Sequence, residues 1–265
     1  SYLNLFLFFM LMLVLSSNLP VMFAGWEGVG LCSYLLIGFW YKDKANSLAA
    51  KKAFVVNRIA DAAFIAAMAL VYKATGNFSL SGLPSIEESS LIALLFFIAA
   101  SGKSAQMPFH VWLPDAMAGP TPVSALIHAA TMVTAGIYLL CRTSVLFTSV
   151  ELTDLIMIVG LATSLLAGLT ACFQSDLKKV LAFSTVSQLG LMFAAFGAGS
   201  SNAAVFHVVT HAFFKACLFL SAGSVIFACH HEQSMEKLGG LLKKIPVTAI
   251  SYFLATISMC GFPYL

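Results

Sequence analysis

The sequence has 265 residues, of which 60% are hydrophobic and 9% are charged, and it carries a formal net charge of +3. A soluble domain carries charge on about 25% of its residues, so this composition excludes an ordinary soluble protein. The six cysteines are scattered without a CxxC pair, and the chain contains neither GxxxxGK[ST] nor GxGxxG. We therefore expect a polytopic membrane protein with no metal or nucleotide site of its own and no nucleic-acid partner.

Hydrophobic segments of about the length needed to cross a bilayer, roughly 20 residues, follow one another along the chain. No strand-like alternation competes with a helical interpretation. We predict an all-α polytopic membrane fold with about nine transmembrane helices. Their expected bounds are 3–17, 19–40, 48–72, 90–117, 121–143, 153–173, 179–198, 203–229 and 245–265.

The basic residues between these segments fall mostly on one side of the membrane. If successive segments alternate in direction, nine lysines share one side, whereas Lys73 and Arg142 share the other. The positive-inside rule places the nine-lysine side, which we name the lysine-rich side, in the cytoplasm or matrix. Its lysines are Lys42, Lys44, Lys51, Lys52, Lys178, Lys179, Lys237, Lys243 and Lys244.

The stretch 101–108, SGKSAQMP, places a lysine deep within the fourth segment. A charge near the bilayer centre costs about 2.5–3.5 kcal/mol on the lenient insertion scale. Gly102 and Pro108 flank Lys103, and neither residue suits a continuous helix. The backbone groups that a break frees must face protein or water. We predict a broken helix near Lys103–Pro108 and a buried polar site on an ion or proton path.

Three further charged residues lie within the second and third segments. Glu27, in GWEGVG, has no polar neighbour and needs a partner from another helix. It is either one half of a structural ion pair or an acid that keeps Lys103 protonated, which would make Lys103 a proton-loading site. Arg58 and Asp61 are three residues apart and share a helix face, so they neutralise each other or, alternatively, Asp61 also acts on Glu27.

A polar stripe interrupts the eighth segment, because His207, His211 and Lys215 recur every four residues. A zinc site here would lack the glutamate of HExxH and a nearby third ligand. Tight packing with satisfied histidines is a second alternative. We favour a proton relay, because an imidazole accepts and donates protons near neutral pH on two nitrogens. His128 in the fifth segment is predicted to belong to the same relay.

The fifth segment opens with a rigid turn, GPTP at 119–122. Thr121 and Ser124 are suited to cap the helix that follows, and a proline suits its first turn. The hydroxyl groups that could hold water near His128 belong to Ser124, Thr131 and Thr134.

Several long motifs resemble the proton-translocating, antiporter-like membrane subunits of respiratory complex I, and the likeness is greatest to the largest and most distal of them. The motifs are GWEGVGLCSYLLIGF at 25–39, KSAQ at 103–106, WLPDAM at 112–117, GPTPVSALIHAATMV at 119–133 and HVVTHAFFKA at 207–216, supported by HHEQ at 230–233 and GGL at 239–241. The resemblance covers nearly the whole chain. Large subunits of sodium/proton antiporters and subunits of membrane-bound hydrogenases share most of these motifs.

The resemblance implies roles for individual residues. Lys103 is similar to the central lysine on the family's broken helix, and Glu27 to the glutamate paired with it. Arg58 and Asp61 are similar to the charged pair on the family's following helix, and His128 is similar to the histidine beyond the lysine. The residues similar to the family's central connecting axis are His207, His211 and Lys215.

The family is built from two inverted five-helix repeats, and the resemblance implies the same organisation here. Residues 3–143 would form the first repeat and 153–265 a truncated second one, together a single proton-translocating domain, 1–265, within a longer subunit. The lysine that passes the proton outward in the second repeat would lie beyond Leu265.

The resemblance further implies proton translocation by a subunit of NADH:quinone oxidoreductase in the bacterial or mitochondrial inner membrane. NADH, FMN, iron–sulfur clusters and quinone are expected in partner subunits. Expected neighbours are other membrane subunits, including antiporter-like ones, and lipid. Protons would enter near Glu27, reside on Lys103 and pass His128. A sodium/proton antiporter subunit, a hydrogenase or carbon-uptake subunit and a non-transporting scaffold are the rival interpretations.

Overall fold

The computed structural model describes residues 1–85, 90–147 and 150–262, and every regular element within these ranges is helical. Among the described residues, six helical stretches are long and apolar enough to cross a membrane, and three shorter apolar helices accompany them. These stretches correspond to the predicted segments, so the chain is an all-α, multi-pass membrane protein, as predicted; positions 263–265 of the last segment lie outside the described ranges. The helices are α1 (Tyr2–Leu15), α2 (Leu19–Ile37), α3 (Lys44–Thr75), α4 (Ser90–Lys103), α5 (Thr121–Ala129), α6 (Ala135–Arg142), α7 (Val150–Cys172), α8 (Leu177–Gly197), α9 (Ser201–Ala228) and α10 (Pro246–Met259).

The connections between helices meet on two opposite sides of the bundle. The Leu19 amide donates to the Phe78 carbonyl at 3.0 Å, which joins the α1–α2 and α3–α4 connections. The Leu177 amide donates to the Gln233 carbonyl at 3.0 Å, which joins the α7–α8 and α9–α10 connections. Both hydrogen bonds agree with the alternation of direction from which the lysine-rich side was inferred.

The predicted break in the fourth segment is confirmed, and it begins at Lys103. There α4 ends, Ala105 adopts φ +49°, and the chain continues through two short 3₁₀ turns, Phe109–Trp112 and Asp115–Ala118. One of the carbonyls that the break frees is satisfied within the protein, because the Trp112 indole donates to Gly102 O at 3.0 Å. Lys103 is thus the last residue of a helix that stops inside the bundle.

A second break interrupts the fifth segment, which was predicted as a membrane span over 121–143. α5 ends at Ala129, and Thr131 adopts φ −125° and ψ −96°, far from helical values. A 3₁₀ turn at Met132–Thr134 then leads into α6. The sequence analysis did not reveal this break, because the residues between the two helices include neither glycine nor proline.

α5 also begins without the side-chain cap that was predicted for it. Pro120 is the N-cap residue, and no side chain accepts a hydrogen bond from the first turn. By contrast, Asn18 caps α2 by accepting from the Val21 amide at 2.9 Å. Prolines at the start of α5 fix its direction instead, and the Ser124 hydroxyl is left without a partner among the described residues.

Gly102 allows α3 and α4 to approach closely next to the break. A Cβ atom on Gly102 would lie 2.3 Å from the Ala60 Cβ atom, which is too near for two carbon atoms. This contact brings the end of α4 against the middle of α3, where Asp61 follows Ala60 directly. The glycine therefore positions Lys103 beside α3.

Replacing Gly102 by valine in the full-length protein is expected to lower the free energy of unfolding by about 1–3 kcal/mol, the usual cost of overpacking a well-packed core. Thermal unfolding in detergent measures the change. Gly239, which has ordinary backbone angles and no atom within 4 Å of an added Cβ, provides the control Gly239→Val. Equal losses in the two variants would contradict the packing role of Gly102.

Candidate functional site

The centre of the candidate site is a fully buried ion pair between α4 and α3. Lys103 Nζ lies 3.2 Å from Asp61 Oδ2, and the two side chains are 1% and 2% exposed. The Trp26 indole nitrogen of α2 donates to the other carboxylate oxygen, Oδ1, at 2.6 Å. The ammonium also lies 5.5 Å from the centroid of the Trp26 ring. Asp61 therefore receives hydrogen bonds from two helices at once.

A second ion pair lies beside the first and leads toward the surface of the bundle. Arg58 Nη1 lies 2.5 Å from Glu27 Oε2, with Glu27 16% exposed and Arg58 44% exposed. The pairing expected from the sequence is therefore exchanged: Lys103 contacts Asp61 rather than Glu27, and Arg58 contacts Glu27 rather than Asp61. Arg58 and Asp61 share a face of α3, as predicted, but each reaches a different neighbouring helix.

Glu27 nevertheless stays within the same polar pocket as Lys103. The pocket is lined by the four charged residues Glu27, Arg58, Asp61 and Lys103. Its other lining residues are Gly30, Ser33, Ala53, Phe54, Asn57 and Met132. A Cβ atom on Gly30 would lie 3.0 Å from Lys103 Nζ. Glycine at this position therefore gives the ammonium room between α2 and α3.

His128 lies completely buried near the end of α5. Its ring lies 6.4 Å from the Trp112 ring and 6.0 Å from the Phe219 ring, measured between centroids. Neither ring nitrogen has a hydrogen-bond partner among the described residues, and Ser124 Oγ, one turn earlier, also has none. Buried polar atoms that lack a protein partner normally bind water. Of the other predicted water-holding hydroxyls, Thr131 Oγ1 donates to Leu126 O and Thr134 Oγ1 to Thr131 O.

The second break brings α9 into direct contact with α5. His211 Nδ1 lies 2.7 Å from Ala129 O, a carbonyl at the C-terminal end of α5. A carbonyl oxygen only accepts hydrogen bonds, so Nδ1 carries the hydrogen. Nε2 has no partner among the described residues and is buried. In the neutral ring this nitrogen is free to take up a proton.

The stripe on α9 is completed by two residues of α8 that the sequence analysis did not single out. His207 Nε2 lies 2.7 Å from Gln188 Oε1, and the Lys215 ammonium donates to Ser184 Oγ. Ser184 and Gln188 are four residues apart and so face α9 together. That spacing within an apolar segment was the signal that could have revealed them.

The predicted residues thus form two groups. Glu27, Arg58, Asp61 and Lys103 come together between α2, α3 and α4, whereas His207, His211 and Lys215 follow α9. His128 lies on α5 beside Ala129, the contact of His211. The helix end at Ala129 therefore connects the predicted histidine of α5 with the stripe on α9.

A large cavity opens on the lysine-rich side, with a volume of about 710 Å³. Lys52 and Asp115 form an ion pair of 2.6 Å in its wall, and Thr121 and Lys178 also line it. The sequence places Lys178 in the connection between the sixth and seventh predicted segments. It is instead 4% exposed, because α8 begins at Leu177 and carries the residue into the bundle.

The sequence profile described as NADH:quinone oxidoreductase/Mrp antiporter, TM, matches residues 16–265. The chain is 50% identical over 273 residues to NADH-quinone oxidoreductase subunit L of Escherichia coli K12, covering 99% of this chain and 44% of that protein. It is 51% identical over 272 residues to NADH-ubiquinone oxidoreductase chain 5 of Metridium senile, covering 100% of this chain and 45% of that protein. The chain therefore spans a little under half the length of these curated relatives.

Two solved structures have the same fold over 99% of this chain. One is from the Mrp complex of Dietzia sp. DQ12-45-1b, with a TM-score of 0.92, 38% identity and 30% of that chain covered. The other is from the membrane-bound sulfane sulfur reductase, an archaeal respiratory membrane complex, with a TM-score of 0.90, 25% identity and 56% of that chain covered.

The Lys103–Asp61 pair is expected to dominate the stability of the site. Asp61→Asn leaves a buried ammonium without its counter-ion, which costs about 3–5 kcal/mol. Arg58→Gln disrupts a partly exposed pair, for which about 1 kcal/mol or less is expected. Combining Asp61→Asn with Lys103→Met should restore part of the loss, because the unpaired charge is gone. Strictly additive losses in unfolding measurements would contradict a direct pair.

Proposed function

Because the chain belongs to the NADH:quinone oxidoreductase/Mrp antiporter family, we propose that it is the core of a subunit that moves protons across an energy-coupling membrane. In this proposal the subunit works within NADH:quinone oxidoreductase, as the names of the curated relatives suggest. NADH, FMN, iron–sulfur clusters and quinone belong to partner subunits, and electron transfer there drives the protons. Its neighbours are other membrane subunits, including antiporter-like ones, and membrane lipid.

The observation that carries the proposal is the ion pair between Lys103 and Asp61 at the end of a helix inside the membrane. Burial disfavours the charged form of an amine, and an adjacent carboxylate favours it. Asp61 is the carboxylate in direct contact with the Lys103 ammonium. In this proposal, movement of that carboxylate changes how firmly the proton is held on Lys103.

Glu27 and Arg58 are suited to change that balance from the neighbouring position. Arg58 forms an ion pair with Glu27 and lies on the same face of α3 as Asp61. If Glu27 leaves Arg58, the freed guanidinium competes with Lys103 for Asp61. The two adjacent pairs thus provide a switch in which one rearrangement alters the counter-ion of the loading site.

In this proposal, the proton moves on from Lys103 through the predicted relay residues. His128 and His211 each offer a buried ring nitrogen that has no partner among the described residues. His128 precedes Ala129 at the end of α5, and the Ala129 carbonyl accepts from His211. His207 and Lys215 continue the relay along α9, held by Gln188 and Ser184. Water between these groups would connect them, since each lone nitrogen needs a hydrogen-bond partner.

α5 gives His128 its own access to the lysine-rich side. Thr121 lines the large cavity, and Ser124 and His128 follow it at three and seven residues, which places all three on one face of the helix. We infer that protons also reach His128 from the cavity along this face. Uptake near Glu27, expected from the sequence, remains a separate prediction.

A subunit of a sodium/proton antiporter is the second candidate, and the structural likeness to the Mrp complex favours it. Such a subunit would transport sodium without an NADH-oxidising partner. Purification of the full-length protein with its partners, followed by sodium- and NADH-dependent transport assays, separates the two candidates. A non-transporting scaffold predicts that Lys103→Met combined with Glu27→Gln leaves pumping intact.

Lys103→Met in the assembled complex is expected to lower the number of protons moved per NADH oxidised, because the loading site is lost. Proton pumping is measured in proteoliposomes, with assembly verified on native gels. The control variant is Lys73→Met, which should leave pumping unchanged. Lys73 is exposed and lies on the side of the membrane opposite the lysine-rich side. Normal pumping by a fully assembled Lys103→Met complex would refute the loading role.

A further inference from the structure

Lys178 is a buried ammonium that is held by backbone carbonyls. Its Nζ atom donates to Gly119 O at 3.1 Å and to Met117 O at 3.4 Å, and its side chain is 4% exposed. No salt bridge joins it to a carboxylate within the ranges that the structure describes. Lys179, the next residue, is exposed. Because Lys178 is buried and its neighbour Lys179 is not, the ammonium of Lys178 occupies a specific place in the protein.

That place is the wall of the large cavity beside the start of α5. Lys178 and Thr121 line the same cavity, and Gly119 lies two residues before Thr121. The face of α5 that leads inward from Thr121 carries Ser124 and His128, whose polar atoms have no partner among the described residues. The ammonium therefore lies where the cavity meets the route to His128.

Carbonyl oxygens in irregular backbone next to a helix end are the groups that hold sodium in membrane transporters. Here two such oxygens lie before α5, that of Met117 in the 3₁₀ turn and that of Gly119 directly after it, and both accept from Lys178. A side-chain ammonium is a cation of similar charge that cannot diffuse away. It occupies the ligands and repels a second cation from the same place.

We propose that Lys178 is a specificity-determining residue that denies sodium the carbonyl ligands of Met117 and Gly119 and so restricts the cavity route to protons. A proton crosses the same point because an amine releases and regains it, and because it moves through hydrogen bonds between water, Ser124 and His128. A sodium ion cannot be passed along hydrogen bonds in this way, so it must displace the ammonium. This inference rests on the proposed function and adds the selectivity of the cavity route.

The test is Lys178→Met in the assembled complex, reconstituted into proteoliposomes. Methionine keeps most of the side-chain volume and frees both carbonyls. Uptake of ²²Na⁺ is expected to rise at least about tenfold over the wild type, the change that corresponds to roughly 1.4 kcal/mol in a barrier. Lys179→Met removes the same charge from the exposed neighbouring position and should keep sodium uptake at the wild-type level. Lys178→Arg should also exclude sodium, because a guanidinium keeps the charge and the donors.

Lys178 and Lys179 both line the cavity. An equal rise of sodium uptake in Lys178→Met and Lys179→Met would overturn the inference, since the net charge of the cavity would then be responsible. Where Lys178→Met assembles poorly, Lys178→Gln keeps a donor toward the carbonyls without the charge, and uptake is normalised to assembled complex. Failure of both variants to assemble would assign Lys178 a structural role and also overturn it. Sodium-driven transport by the wild type would refute the proposed function, whereas unchanged sodium exclusion with intact pumping in Lys178→Met would refute this inference alone.

Discussion

The ion pair between Lys103 and Asp61 is the interaction on which the rest of the structure depends. An ammonium inside a bilayer is tolerated only with a counter-ion and hydrogen bonds. Here Asp61 of α3 is the counter-ion and accepts from the ammonium, and the Trp26 indole of α2 donates to the same carboxylate. The position of the lysine adds a further favourable term. Lys103 is the last residue of α4, and the C-terminal end of a helix is the end that stabilises positive charge. The break in α4 is thus part of how the charge is accommodated.

Both breaks in the bundle turn backbone carbonyls into acceptors for side chains that matter to the site. The end of α4 gives Gly102 O to Trp112, whose ring also lies near His128. The end of α5 gives Ala129 O to His211 and thereby fixes which ring nitrogen carries the hydrogen. Irregular backbone at membrane depth is permitted only where it is buried in protein or faces water. Each break therefore requires a polar interior around it.

The elements that could be predicted from the sequence are those encoded within a single segment. The length of the apolar segments predicted the helices, and the residues Gly102, Lys103 and Pro108 predicted the first break. The four-residue spacing of polar residues predicted the stripe on α9. Spacing fixes a face of one helix but not its rotation toward its neighbours, which is why the partners of Lys103 and Arg58 were exchanged. The second break had no glycine or proline to reveal it, and Lys178 resembled a loop lysine because its burial arises from the start of α8.

The chemistry of the relay favours protons over sodium independently of the cavity. The groups that would carry the transported ion are amines and imidazoles, which become positive when loaded and offer no oxygen cage to a metal ion. The carboxylates of the central cluster, Asp61 and Glu27, already face Lys103 and Arg58. Sodium bound there would have to displace a tethered cation, as it would at Lys178. Under the proposed function, the groups that pass the ion along are amines and imidazoles, and the ion that these groups can exchange is a proton.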